Sequence, residues 1–248
     1  MDGLYLNSGI QQVGIGVPNI PEIWTWYRRS FGMDVRIFDE AAPAPLMTRY
    51  TGGVIHERTA TLAMSMNGGG GFEIWQFTSR STEKARFELQ LGDLGLTICK
   101  IKSRDVHASY SYLIAQGAQV LGAPKKDQIG KWSFFVKDPN DNLFQIVEGR
   151  SWFGNTNHPS MCGGVCGMTI GVSDMAKSLS LYRDILGYEL VEFDHVNGTY
   201  CFFSFGGSYL AALVIYATIY HPPSLALKYR GALDESEATL LQKYALQA

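Results

Sequence analysis

Glu73 is the side chain best suited to move a proton. It stands in Gly71-Phe-Glu-Ile-Trp-Gln-Phe77, an apolar and aromatic run broken by one carboxylate. On an alternating strand Glu73, Trp75 and Phe77 share one face. If that face lines a cleft, Glu73 can serve there as a general acid or base, with Trp75 and Phe77 as an apolar pocket. The other reading is a carboxylate on an outer face, held in a salt bridge. In Gln12-Val-Gly-Ile-Gly-Val17, Gln12, Gly14 and Gly16 alternate with three apolar residues. The glycines leave room for a ligand close to the strand. Gln12 either belongs to that site or is a half-exposed residue bonded to backbone. His56, in Gly52-Gly-Val-Ile-His-Glu-Arg58, could swing over the cleft as a base, or be a solvated loop residue.

Other residues exclude chemistry. Of four cysteines only Cys162 and Cys166 lie close together, and no further ligands stand at zinc spacing around them. Reduced thiols in a cytoplasmic protein are the expectation. His107, His158, His195 and His221 fit no ligand pattern. Lys and Arg total 21 against 23 Asp and Glu, a net charge of −2, so neither nucleic acid nor an anionic membrane is an expected partner. No basic leader opens the chain, and the longest apolar run (209–220) is short of the roughly 20 residues a spanning helix needs. With 46% hydrophobic and 18% charged residues, the 248-residue chain can bury a substantial core.

The elements that position these residues recur. Three segments read strand, turn, helix, Gly, strand. They start at Gln12, Leu96 and Gly167, carry Tyr27, Tyr112 and Tyr182, and end their helices at Gly32, Gly117 and Gly187. From strand start to Tyr the spacing is 15, 16 and 15 residues; to Gly it is 20, 21 and 20. Pro21 suits a first helical turn, Asp105 and Asp174 suit N-caps, and the glycines suit left-handed C-caps. Two strands follow in each of the first two units: 59–66 and 72–77, then 132–136 and 143–147. The 41–53 insert reads as a lid, a mouth loop or a surface excursion.

The β-α-β-β-β repeat, with Tyr27-Arg-Arg-Ser-Phe-Gly32, Tyr182-Arg-Asp-Ile-Leu-Gly187 and Asp138-Pro-Asn-Asp-Asn-Leu-Phe-Gln-Ile146, resembles the vicinal oxygen chelate superfamily of glyoxalases, bleomycin-resistance proteins and extradiol dioxygenases. The resemblance implies a divalent metal (Zn, Ni, Mn or Fe) held between two units, and a small substrate with adjacent oxygens. Carried onto this chain, it makes Gln12 and Glu73 metal ligands and puts Gln145 at the matching last-strand position beside the pocket; His56, as a third candidate ligand or base, and Gly14, Gly16, Trp75 and Phe77, as pocket residues, rest on their own placement. Unit two departs from the pattern: Leu96, or Thr97 if the strand is shifted by one, stands at the first ligand position and Gln145 at the last. Unit three has Gly167 at the first.

The expected fold is therefore α+β: tandem βαβββ modules paired into a curved mixed, glyoxalase-like sheet, with a third, incomplete module. Residues 1–150 would hold the paired modules (8–80 and 92–149), 151–162 a linker, and 163–248 the third, incomplete or divergent module, ending in a short helix over 233–248. A homodimer through that third module is a candidate assembly. Two functions stand open: a metal-dependent lyase, isomerase or ring-cleaving dioxygenase acting on a small oxygenated metabolite, or a metal-free, resistance-type binding protein.

Overall fold

The computed structural model describes residues 10–83, 87–89, 93–127, 130–150, 152–154, 157–186, 190–194, 201–204 and 212–217. The first unit runs β1 (Gln12–Gly16), α1 (Ile20–Phe31), β2 (Val35–Pro43), β3 (Glu57–Met64) and β4 (Gly71–Phe77). The second runs β5 (Gly95–Ser103), α2 (Val106–Ala115), β6 (Gln119–Lys126), β7 (Trp132–Lys137) and β8 (Leu143–Glu148). The third runs β9 (Cys162–Val172), α3 (Met175–Leu179), β10 (Leu190–Asp194), β11 (Cys201–Ser204) and β12 (Ala212–Ala217). Beyond α3 the turns widen to π type over Ser180–Ile185. The short helix expected over 233–248 lies outside the described residues.

Each helix starts on a side-chain cap. Asn19, Asp105 and Asp174 accept from the backbone N–H three residues on, at 3.2, 3.0 and 3.0 Å. That satisfies a donor the helix cannot. Aligned on these caps, the second unit shifts from the spacing above by one residue at the helix and two at the first strand. Leu113, fully buried, stands where Tyr27 stands, and Ile98 replaces Leu96 as the counterpart of Gln12. Leu96 is 64% exposed. Tyr112 is a misleading marker because its hydroxyl reaches out to the Arg29 carbonyl at 3.2 Å.

The strands form two sheets, in the orders β1-β4-β3-β2 and β10-β11-β12-β9-β5-β8-β7-β6. Every unit keeps the same internal order. The pairing of units differs from the expected one: the second unit joins the third, through antiparallel β5 and β9, and the first forms its own sheet. Side-chain alternation explains this. Phe72 on β4 and Phe144 on β8 are buried on the helix-side faces of their sheets, 5.7 Å apart, with Tyr27 at 4.7 and 5.9 Å from them. The first two units thus pack helix side to helix side around one aromatic core, and their opposite faces look away from each other. The Tyr27 hydroxyl also donates to Asp138 Oδ2 of the second unit, at 2.6 Å.

The insert is a surface excursion: Ala41–Pro43 extend β2 along β3, and Pro45–Tyr50 form a two-turn, mostly exposed 3₁₀ helix. The turn between β3 and β4 does more. Gly70 N–H donates to the Val165 carbonyl at 2.7 Å and Val165 N–H returns a bond at 2.8 Å, fastening the first unit to β9. A Cβ on Gly164 would lie 2.5 Å from the Gly70 oxygen and 2.8 Å from the Gly69 carbonyl carbon, both backbone. Gly164→Ala is therefore expected to cost about 1–3 kcal/mol in urea unfolding. An unchanged midpoint would contradict this close approach.

Candidate functional site

Ile15 on β1 and Val17 just after it belong to the buried core, so Gln12, Gly14 and Gly16 face the opposite side. The register pairs Gly14 with Glu73 and Gly16 with Trp75, which puts Glu73, Trp75 and Phe77 on that same face. Gln12 Nε2 donates to Glu73 Oε2 at 2.5 Å. A Cβ on Gly14 or Gly16 would meet nothing within 4 Å, so the floor beside this pair is open. The Trp75 and Phe77 rings meet edge to face at 5.1 Å and form an apolar wall. Six of the eight residues selected from sequence thus converge on the first unit's sheet: Gln12, Gly14, Gly16, Glu73, Trp75 and Phe77.

His56 sits at the rim. Its Nδ1 lies 3.0 Å from Ser79 Oγ and its ring 5.9 Å from Phe77. No contact joins it to Glu73 or Gln12 among the interactions of the described residues. Gln145 is elsewhere. It lies on β8 of the eight-stranded sheet, facing away from the shared core, and its Nε2 donates to Ser133 Oγ at 3.0 Å. The single hollow expected between the first two units is therefore two separate faces, for the alternation that buries Phe72 and Phe144 together turns Glu73 and Gln145 apart.

Sequence reasoning missed Arg58. It pairs across from Phe77, its guanidinium lies 5.6 Å from the Trp75 ring centroid, and it reaches Glu40 Oε1 at 3.7 Å. The signal was the alternation Arg58-Ala60-Leu62, which becomes meaningful only once β3 is known to lie against β4.

Gln12 and Glu73 supply two oxygen donors, whereas a catalytic metal commonly keeps three protein ligands. Among the described residues no three His, Cys, Asp or Glu side chains gather closely enough to hold an ion. The described residues of one chain do not by themselves fit a metal, and no reaction step is routed through one below. The cysteines Cys99, Cys162 and Cys166 are free thiols. No helix among the described residues is long and apolar enough to cross a membrane.

Repeated βαβββ units, with an amide and a carboxylate meeting on an open sheet face, define a glyoxalase-like protein. Residues 9–146 match the family model of the Glyoxalase/Bleomycin resistance protein/Dioxygenase superfamily, and the chain belongs to that superfamily. Its members often bind divalent metals and small-molecule substrates. Among solved structures it is similar to glyoxalase I from Zea mays, with a TM-score of 0.57 and 16% identity over 85% of this chain and 67% of that one. It is also similar to a proposed dioxygenase from Bacillus subtilis, with a TM-score of 0.62 and 16% identity over 87% of this chain and 66% of that one. At that identity the likeness shows the fold, and the chain spans about two thirds of those proteins' length. No curated protein matches the sequence.

Proposed function

We propose that the open face of the first unit takes a small metabolite with two adjacent oxygens, and that Glu73 moves a proton on the carbon beside them. The contact of Gln12 with Glu73 over the bare floor of Gly14 and Gly16 carries this reading. The amide holds the carboxylate in one orientation, the glycines admit a substrate to hydrogen-bond distance, and Trp75 and Phe77 shield it from water. Hydroxyacetone is a minimal probe. Exchange of its α-protons for deuterium, followed by NMR with and without added Zn, Ni, Mn or Fe, tests the reading. Catalysed exchange lost in Glu73→Ala supports it; exchange at the buffer rate under every condition overturns it.

A second reading, a metal-free binding protein, is favoured by the direction of the Gln12 amide. Its nitrogen is turned to Glu73, which ties up both side chains with each other. Saturable binding of a planar ligand against Trp75, without exchange or bound metal, would select this reading.

A metal-dependent form of the enzyme needs further donors. The counterparts of β1 in the other units, β5 and β9, pair edge to edge, whereas β1 ends its sheet. A second copy laid along β1 in the same way would bring another Gln12 and Glu73 to the hollow. The third unit, where a dimer contact was expected, has its own first strand taken by β5. Sedimentation is expected to show a dimer favoured by Ni or Mn and lost in Glu73→Ala. A chain that stays monomeric at every metal load contradicts this assembly.

A further inference from the structure

The first two units use one matching position differently. In the first, Gln76 of β4 reaches the start of α1: its Oε1 accepts from the Ile20 N–H at 2.9 Å. That donor opens the helix and has no partner within it. In the second unit the matching helix residue is Val106, which follows the cap Asp105 as Ile20 follows Asn19. The matching strand residue is Glu148. Ile74 pairs with Ile15 of β1 as Ile146 pairs with Ile101 of β5, and Gln76 and Glu148 each stand two residues further on. Glu148 does not close this contact. Among the described residues its carboxylate has no hydrogen bond or ion pair, and the Val106 N–H has no acceptor.

A cleft of about 310 Å³ opens here instead, with Val106, His107, Trp132 and Glu148 in its wall beside the turn from Ser103 to Asp105. That volume suits a small ligand. Trp132 is half-buried, and its ring meets His107 edge to face at 4.5 Å, so the two form an aromatic corner. The charges nearby are engaged elsewhere. The Arg104 guanidinium donates to the Gly154 carbonyl and lies 4.1 Å from the Trp152 ring centroid. Asp105 Oδ1 caps the helix at the Ala108 N–H. Lys126 lies 5.3 Å from the Trp132 centroid and outside the cleft wall.

From this geometry we infer that the cleft binds a flat heterocycle with ring N–H donors next to a ring carbonyl, the edge that guanine and pterin share. A free carboxylate and a free backbone N–H in one wall call for a donor and an acceptor side by side in the ligand. A ring N–H and the amine beside it match the two oxygens of Glu148, and the carbonyl takes the Val106 N–H. Gln76 performs that last role in the first unit with its own amide carbonyl. An ammonium would satisfy Glu148 but stand against the positive end of α2, and an oxyanion would suit the helix but face Glu148. The aromatic corner packs on the plane of the ring. This site is independent of the one proposed on the first unit.

NMR titration of the uniformly 15N-labelled full chain with guanosine, and separately with pterin, tests the inference. The Val106 and His107 amide signals and the Trp132 indole signal are expected to move together and saturate with at least one of them, and the tighter of the two assigns the source. Adenosine has a ring of the same size, with an acceptor nitrogen in place of the ring N–H and an amine in place of the carbonyl. It is expected to bind at least tenfold more weakly than guanosine. Glu148→Gln is expected to weaken the tighter ligand by about tenfold or more. Its melting temperature should match the parent's, since the side chain is exposed and unbonded, so lost binding is not lost folding. No saturable response to either ligand, adenosine binding as well as guanosine, or parent affinity in Glu148→Gln overturns the site.

Discussion

Glu73→Gln is expected to lower proton exchange on hydroxyacetone by about 10²–10⁴-fold, the usual contribution of a positioned acid–base group. The amide matches the carboxylate in shape and keeps a partner for Gln12, so the loss reports proton transfer. The fall should appear in kcat with KM nearly unchanged. Gln12→Ala should be milder: the carboxylate survives but loses the donor that orients it at 2.5 Å. A Glu73→Gln protein exchanging protons at the parent rate would leave the open face as a binding surface alone.

The largest stability loss is expected for Asp138→Ala, about 3 kcal/mol or more in urea unfolding. Asp138 is 2% exposed. Its carboxylate accepts from the Tyr27 hydroxyl, from the Asn140 and Asn142 backbone N–H groups, and from Asn142 Nδ2. Removing it strands the Tyr27 hydroxyl in the interior, takes the shared acceptor from the half-buried Asn140 and Asn142 groups, and cuts the polar tie between the first two units. A pH signature accompanies this tie. Burial, and then Asp138, raise the Tyr27 phenol well above its ordinary 10.0. The folded state thus holds that proton more tightly than the unfolded one. The resulting stability is fully present below pH 10.0 and is lost as pH rises through the folded value. Tyr27→Phe should remove this part of the alkaline loss while costing stability at neutral pH. An alkaline limb identical in both proteins would show that Tyr27 does not titrate on unfolding.

The units were legible because their ends are written in local chemistry. Asn19, Asp105 and Asp174 cap the helices, and Gly32 closes α1 at φ +70°. The face of β1 was legible too, since alternation fixes which residues share a side. Partner choice was not. β1, β5 and β9 offer similar backbone edges, and only tertiary packing decides which two meet. The aromatic residues that decide it, Tyr27, Phe72 and Phe144, lie far apart in sequence and look like ordinary core in each unit. Once they form one core, Gln145 must leave the Glu73 site. In the same way, Tyr112 suggested a register that the buried Leu113 corrects.

NMR of the uniformly 15N-labelled chain during titration with acetohydroxamate, a small probe with two adjacent oxygens, tests the central claim most directly. The account predicts that the Gly14 and Gly16 amide signals and the Gln12 side-chain amide signals move together and saturate, and that Glu73→Gln weakens the response. Shifts confined to other parts of the chain, or none at saturating probe, would contradict a ligand site on the first unit's open face.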